Sequence, residues 1–530
     1  MVIAVTLILV LSSAQQQLTV GEHIFEYRIL DNGLRVYAIE DPGETTSVFM
    51  AIAAGTRDET AGTTGLAHLT EHAMFAGTAT TGTDIHEKTI VEWGGESNAF
   101  TRDDYTMYYD HDFASEHLSE VLNMEADRLR GLTLVSEPVL RERHRLNVEE
   151  EHAYQPSDGR AQQLENAVYK SHPYRHGLRD AGGHTKAPGL SVAQVKFFYD
   201  AYYHPNRTAI VIVSPHKPAA VLDMAEESFG KLESQATTNN HYFEPEVTAS
   251  RTVAIKSQLP RDRVVRCWLT PNIQHADRAA LDVLAAMLQR DEIKSGVIVN
   301  VSTGGRIEQE LFKMSWSVGD HDAGVIAKEV ARMLTSYKLG EADASVMTEV
   351  KGLLADVYTS QPMRSRPYFA LAGTLSWYAA HDLTEVLAGY HDAVMAVTSD
   401  DLARVCKTYL AKKKCVTVTF KGTGEAVKPL PESVRELQAE AAAAFETGNY
   451  ARAIEAYTLI LAQKEDPMSQ IINFTERGSI HLEMKNYDAA IADFEAGLTY
   501  YDYPAVADML EDAIAQKKRA MRGNLQQNGC

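Results

Sequence analysis

The order of its predicted elements constrains this chain most: two long blocks each begin with β-patterned segments and continue as helices. The first block opens at Phe25 with a strand, an Asn32-Gly33 turn and a second strand, and a third β-rich run follows a polar loop. These three segments predict an antiparallel meander. Helical patterns come next at about 62–76, 84–93, 114–130, 136–153 and 191–201, and residues 206–213 close the block as a buried strand. Strands first and helices after favour an α+β fold.

A second block loosely repeats this order. Strand patterns lie near residues 250–256 and 264–269, helical patterns cover 275–289 and 324–337, and a last strand covers 415–420. The sequence therefore predicts a duplicated α+β unit, although the two blocks share little identity.

A different composition begins after residues 421–431, which carry two glycines and two prolines and predict a linker. The signature N-Y-x-x-A-I starts at Asn449 and again at Asn486, 37 residues later. This repeat resembles tetratricopeptide repeats, with two helix pairs and a final helix at about 504–521. An ordinary helical bundle is the alternative.

The charge balance and the cysteines exclude several classes of protein. Lys plus Arg is 51 against 72 Asp plus Glu, a net charge of −21 that repels nucleic acid and anionic lipid. The four cysteines show no C-x-x-C spacing, so neither a zinc ribbon nor a disulfide scaffold is expected.

The N-terminus is typical of a short secretory signal. Residues 2–11 are almost wholly apolar, and Ser12 and Ala14 provide small residues before a possible cleavage site. The stretch lacks Lys and Arg, so a wrongly assigned start or an apolar strand is the alternative. We expect a periplasmic or extracellular protein, with a cytoplasmic one as the alternative, and no membrane span.

The motif with the clearest chemistry is H-x-x-E-H, formed by His68, Glu71 and His72 inside a helical pattern. Two imidazoles one helical turn apart can share one zinc ion, and Glu71 lies on the same face as a candidate general base. Such a pattern taken alone is also compatible with a solvated helix surface.

The surroundings of the motif extend this interpretation. Residues 65–78 and 94–101, together with the L-D-N-G-L turn, residues 203–213 and the helix at 396–402, resemble the pitrilysin-type inverzincins. That family includes insulin-degrading enzyme and mitochondrial processing peptidase. The resemblance spans roughly residues 22–420 and implies a zinc-dependent metalloendopeptidase that hydrolyses peptides or small unfolded proteins.

The implied fold is α+β: two related α/β-roll domains followed by a small all-α helical-repeat domain. The expected domains are a signal peptide at 1–14, a zinc-binding peptidase N-domain at 20–235, a peptidase-like C-domain at 246–421, a linker at 422–431 and tetratricopeptide-like repeats at 432–521.

A catalytic zinc ion needs a third protein ligand. The family supplies a Glu from a later helix, and the pattern E-R-x-x-x-x-x-E places it at Glu149, with Glu150 as the main rival. Glu142, two turns earlier, then matches the outer carboxylate that orients a ligand. Three consecutive acids also occur on solvated helix surfaces. The ligand types would suit manganese or cobalt as well as zinc.

The resemblance also implies the remaining roles. Glu71 would take a proton from the attacking water and pass it to the leaving amine. Asn98 and Ala99 match a strand that pairs with extended substrate backbone, although they could be ordinary turn and strand residues.

The chain departs from the family where active members carry an Arg and a Tyr that stabilise the transition state. Here Phe312 and Trp316 stand near those places. The chain is thus expected to be the metal-bearing subunit of a hetero- or homodimer whose partner supplies Arg and Tyr, or else to work alone with a weakened site. The repeats would bind that partner or a peptide. A non-catalytic scaffold is the competing class.

Overall fold

A computed structural model provides the coordinates of the chain. It describes residues 16–60, 62–134, 139, 142, 159–175, 189–236, 241–257, 259, 261–291, 295–318, 323–355, 369–422, 434, 437, 440, 441, 444, 449–463, 467–500, 506, 509, 510, 513, 514, 516 and 517. The chain divides into two compact units between residues 425 and 426. Each unit is described by itself.

A seven-stranded sheet organises the first half of the larger unit. Its strands are β1 Gln16–Val20, β2 His23–Ile29, β3 Arg35–Glu40, β4 Thr45–Ile52, β5 Glu96–Thr101, β6 Thr106–Ala114 and β7 Thr208–Ser214. They lie in the order β1-β2-β3-β7-β4-β6-β5, so β5 is an edge strand. This edge carries the sequence that we expected to contact substrate.

The predicted antiparallel meander is wrong in one place. β2 and β3 pair antiparallel, but β7 lies between β3 and β4, parallel to the first and antiparallel to the second. All seven residues of β7 are buried, and such a strand is most stable in the middle of a sheet, where both neighbours cover it.

Helices cover both faces of this sheet. The helices of this half are α1 Leu66–Ala73, α2 Ile85–Glu92, α3 Leu118–Arg130, α4 Gly159–Val168, α5 Val192–Tyr202 and α6 Pro218–Phe229. Of these, α4 packs on the sheet of the second half. One face of the seven-stranded sheet forms a core with α1, α3, α5 and α6. The other face packs against the helix Phe369–Ala380, which comes from the second half of the chain. The predicted helices at 62–76, 84–93 and 114–130 are confirmed in shortened form, and the one at 191–201 is confirmed with a displacement of one residue. The one at 136–153 lies almost wholly outside the described residues.

A five-stranded sheet organises the second half. Its strands are β8 Arg251–Lys256, β9 Arg263–Thr270, β10 Asn300–Ser302, β11 Glu310–Ser317 and β12 Val416–Lys421, in the order β10-β11-β9-β12-β8. The helices are α7 Arg278–Arg290, α8 Ala323–Leu339, α9 Ala344–Ala355, α10 Phe369–Ala380, α11 Thr384–Ala388, α12 Tyr390–Ala396 and α13 Ser399–Tyr409. Both halves of the larger unit combine strands with helices, which confirms the predicted α+β fold.

The smaller unit is helical where it is described. Its helices are α14 Tyr450–Leu461, α15 Pro467–Glu483 and α16 Tyr487–Leu498. Ala453 and Ala490, the small residues of the repeated signature, are fully buried. Arg477 on α15 forms a bidentate ion pair with Asp493 on α16, which ties these two helices together. No helix within the described part of the chain is both long enough and apolar enough to cross a membrane.

Candidate metal centre

Helix α1, which carries H-x-x-E-H, begins at a backbone conformation that favours glycine. Gly65 precedes the helix with a φ of +91°. The buried carboxylate of Glu59 accepts the backbone N–H groups of Gly65 and Ala67 at 2.9 and 2.7 Å, so two donors at the helix start are satisfied. Burial raises the pKa of Glu59 well above its usual value, against the effect of these hydrogen bonds. The turn that presents His68 is therefore fixed at its start.

The helix is held to the sheet by its apolar face. The predicted core positions Leu66, Leu69 and Ala73 are all buried. On the other side, His68 and His72 are half-buried, and Glu71 is 6% exposed. The periodicity of α1 therefore separates an anchoring face from a face that carries the three motif side chains.

The structure brings the three motif side chains together. One potential ligand atom from each of His68, Glu71 and His72 lies within 4.8 Å of the others. The two imidazole rings meet edge to face, with centroids 4.9 Å apart. Two imidazoles and carboxylate oxygens at this spacing fit the donor set that zinc prefers.

A buried carboxylate stands behind one of these rings. Glu142 Oε2 lies 3.5 Å from His72 Nδ1, and the Glu142 side chain is 2% exposed. A carboxylate at Nδ1 leaves Nε2 as the nitrogen that faces a metal, as is usual for metal-binding histidines. Glu149 and Glu150, the expected third ligand and its rival, lie outside the described residues.

Glu71 has a hydrogen-bond donor that the sequence analysis missed. Thr101 at the end of β5 donates its hydroxyl to Glu71 Oε2 at 2.5 Å. Behind them lie Tyr108 and Tyr203, whose hydroxyls are 2.9 Å apart and whose pKa values burial raises far above normal, with the nearby Glu71 carboxylate adding to the effect. Strand alternation could have identified Thr101, because it shares a face with Ala99, which packs against the core beneath α1.

The edge strand β5 lies beside α1 and carries the predicted substrate residues. Asn98 is exposed, and its Oδ1 accepts the N–H of Ala99 at 2.7 Å. Asn98 and Ala99 pair with Tyr109 and Tyr108 of β6, and no described strand pairs with the other side of β5. The edge is therefore open to an added strand over its described length.

Phe312 and Trp316 are core residues of the second half. Both belong to β11 and are buried in the core of the second half, at 0% and 2% exposure. Phe312 contacts Trp268 edge to face, and the Arg266 guanidinium lies 5.3 Å from the Trp316 ring centroid. Neither side chain can offer a cation or a phenol to a substrate.

A second group of potential ligands is formed by His86, Asp110 and Glu125, all buried. His86 Nε2 lies 2.9 Å from Asp110, and Arg128 makes two hydrogen bonds to Glu125. Burial raises the pKa of Glu125 to about 7. Burial would also raise that of Asp110, but the neighbouring His86 and Arg128 hold it well below its usual value. Because Arg128 already supplies a cation, this group is a closed ion-pair network and not a second metal centre.

Family profiles match two neighbouring stretches of the chain. The profile described as Insulinase (Peptidase family M16) matches residues 35–182. The profile described as Peptidase M16 inactive domain matches residues 189–345. The first stretch contains the motif of α1, and the second contains Phe312 and Trp316.

Individual proteins are similar to this chain at low sequence identity. Zinc protease PqqE of Helicobacter pylori is 24% identical over 416 residues, covering 74% of this chain and 91% of that protein. A probable mitochondrial-processing peptidase subunit beta of Schizosaccharomyces pombe is 28% identical over 213 residues, covering 40% of this chain and 46% of that protein.

Solved structures show a likeness in fold. A protease from Helicobacter pylori superposes with a TM-score of 0.67 at 22% identity, covering 75% of this chain and 99% of that one. The periplasmic protease PqqL of Escherichia coli gives a TM-score of 0.62 at 16% identity, covering 78% of this chain and 50% of that one.

Proposed function

Because the chain belongs to peptidase family M16, we propose that it is a zinc-dependent metalloendopeptidase that hydrolyses peptides or small unfolded proteins. The observation that carries this proposal is the convergence of His68, Glu71 and His72 on one face of α1, with Glu142 behind His72. A solvated helix surface would not bury Glu71 or place a buried carboxylate at a ring nitrogen.

His68 and His72 would hold the metal, with Glu149 as the third ligand and Glu150 as its rival. Glu142 would orient His72 through Nδ1. A bound zinc ion would polarise the scissile carbonyl and make a nearby water easier to deprotonate. The ligand types leave manganese and cobalt as alternatives.

Glu71 would then move the proton. Its carboxylate accepts a proton from the attacking water, whose oxygen adds to the carbonyl carbon, and delivers that proton to the amine nitrogen as the C–N bond breaks. The Thr101 hydrogen bond at 2.5 Å orients the carboxylate for this transfer. The buried tyrosines Tyr108 and Tyr203 exclude water from the side of Glu71 that they cover.

Substrate would bind as an added strand on β5. The Ala99 N–H donates to the Asn98 side chain, and a peptide carbonyl would replace that side-chain oxygen. An endopeptidase needs this kind of contact, because backbone pairing grips an extended peptide without demanding a particular side chain.

We place the chain in a two-subunit enzyme, as the metal-bearing subunit. This part of the proposal rests on the burial of Phe312 and Trp316 where active relatives carry Arg and Tyr. A homologous peptidase-like partner would supply the missing pair, because a second copy of this chain would carry Phe312 and Trp316 as well. The helical unit after residue 425, with its tetratricopeptide-like signature, would bind that partner or a peptide. The apolar residues 2–11 would export the chain to the periplasm or outside the cell.

The alternative is a non-catalytic scaffold that kept the fold. It is favoured by the missing Arg and Tyr. It gives no physical reason for the buried pairs Thr101–Glu71 and Glu142–His72, each of which includes a side chain of the motif.

The test is hydrolysis of a quenched fluorescent peptide by the purified chain, alone and with its partner. Glu71→Gln should lower the rate by about 100- to 10,000-fold while zinc content stays unchanged. A chelator should abolish the rate, and added zinc should restore it. Glu233 is exposed, and its side chain makes no hydrogen bond or ion pair with the described residues. Glu233→Gln is therefore the matched control and should behave as wild type. A rate that Glu71→Gln leaves unchanged would refute the proposed role of Glu71.

A further inference from the structure

A cavity of about 530 Å³ lies between α4 with the turn that follows it and the segment that enters β8. Three cationic side chains line it, and none of its lining residues is acidic: Asn166, Tyr169, Lys170, Arg175, Val247, Thr248, Ala249, Ser250 and Arg251. In a chain of net charge −21, the lining of this cavity thus has the opposite sign of charge. Its volume falls in the range typical of small-molecule sites.

Both guanidinium groups are fixed by contacts to uncharged acceptors. Arg251 Nη2 donates to the carbonyls of Ala167 and Val168 at 2.8 and 2.7 Å, at the C-terminus of α4. Arg175 donates from Nε to Asn166 Oδ1 at 3.3 Å and from Nη1 to the Lys170 carbonyl. These contacts orient the two side chains and leave their positive charges without a carboxylate partner among the described residues.

The nearest carboxylates already have partners. Glu244 accepts three consecutive backbone N–H groups, those of residues 170–172. Glu165 pairs with Arg306, and Glu246 pairs with Lys414. Glu165 and Glu246 are each paired with a cation, whereas the neutral N–H groups leave the charge of Glu244 in place and reduce the attraction for an anion. The three cations of the cavity outnumber this carboxylate, so the local charge still attracts an anion.

We propose that this cavity binds a phosphoryl group. Two forked guanidinium groups and one ammonium group match the charge and the several acceptor oxygens of a phosphate dianion better than the single charge of a carboxylate. The bound group would join α4 to the segment before β8 and so link the two halves of the larger unit. The site is independent of the peptidase activity proposed above.

The test is isothermal titration of the full chain with inorganic phosphate at constant ionic strength, repeated with glycerol 3-phosphate. We expect saturable binding of one equivalent, which a chelator leaves intact because the metal centre is not involved. Lys170→Gln and Arg175→Gln should each weaken binding by about 10-fold, the effect of losing one charge-assisted hydrogen bond. Tighter binding of glycerol 3-phosphate would identify a phosphomonoester as the natural form, and equal or weaker binding would identify free phosphate.

Lys231→Gln is the matched control, because Lys231 is exposed in the turn after α6 and does not line the cavity. It should bind phosphate as wild type does. Lys170 is exposed, and its side chain makes no hydrogen bond or ion pair with the other described residues. Its replacement should therefore leave the melting temperature unchanged. The proposal is overturned if phosphate shows no saturable binding, if acetate binds equally well, or if Lys231→Gln weakens binding as much as the two cavity variants.

Discussion

Thr101 links the edge strand to the proposed general base. Its hydroxyl is 2.5 Å from Glu71 Oε2, and both side chains are buried. This donor directs Glu71 Oε2 towards the strand and so orients the carboxylate. Positioning of this kind affects the chemical step more than substrate binding, because the hydroxyl contacts the base and not the peptide.

We therefore predict that Thr101→Val lowers kcat by about 10-fold, the value of one hydrogen bond to a charged group, with KM unchanged. The measurement is steady-state hydrolysis of a quenched peptide. Thr46→Val is the control, because Thr46 is equally buried but bonds only to Ser115 and Ser214, away from α1. It should lower the melting temperature and leave kcat unchanged. Equal kcat values for Thr101→Val and wild type would contradict the positioning role.

The His172 imidazole makes the stability of the folded chain depend on pH. It is fully buried, and its Nδ1 accepts the N–H of Tyr174 at 3.2 Å. Burial lowers its pKa to about 4. The unfolded chain, with a histidine pKa near 6.5, takes up a proton that the folded chain does not, so stability falls as the pH drops from about 6.5 towards 4.

We predict that His172→Phe reduces this acid sensitivity. Its melting temperature should fall less than that of wild type between pH 7 and pH 5, by differential scanning calorimetry. The difference between the two slopes isolates His172, since the other histidines are present in both proteins. Parallel curves would show that this residue does not cause the loss of stability.

At the scale of elements, β5 is the strand that we propose binds substrate. Its Ala99 N–H donates to the Asn98 side chain and is the donor that a substrate carbonyl would take over. We predict that Ala99→Pro raises KM at least about 10-fold by removing that donor, while the circular dichroism spectrum stays unchanged. Ala99→Gly keeps the N–H and should keep the KM. A proline variant with normal KM would place substrate elsewhere.

The elements also show what the sequence could predict. Helix α1 was predictable because its apolar face repeats at helical spacing and is buried, and the motif side chains share the opposite face. The insertion of β7 between β3 and β4 was not, because it depends on pairing between residues about 160 positions apart, which local patterns do not encode. Thr101 was reachable by strand alternation, but nothing local relates it to Glu71, 30 residues earlier.

At the scale of the whole molecule, the second half holds the tip of the β5–β6 hairpin. Arg306 forms ion pairs with Asp103 in that tip and with Glu165 on α4, and its guanidinium lies 4.3 Å from the Tyr174 ring centroid. It is the only arginine between β10 and the end of β11. Because it is committed to these contacts, it cannot replace the missing arginine of the active relatives.

The catalytic centre is therefore expected to be incomplete in the isolated chain. A homologous partner that carries Arg and Tyr but lacks H-x-x-E-H should raise peptide hydrolysis by about 100-fold or more, since loss of one transition-state donor costs about that much. The measurement compares the chain alone and mixed with the partner, with masses determined by mass photometry. Replacing the partner's arginine with alanine should remove the gain while leaving the complex intact. Full activity from a verified monomer would contradict the two-subunit arrangement, and the second half of this chain would then have to stabilise the transition state with groups other than Phe312 and Trp316.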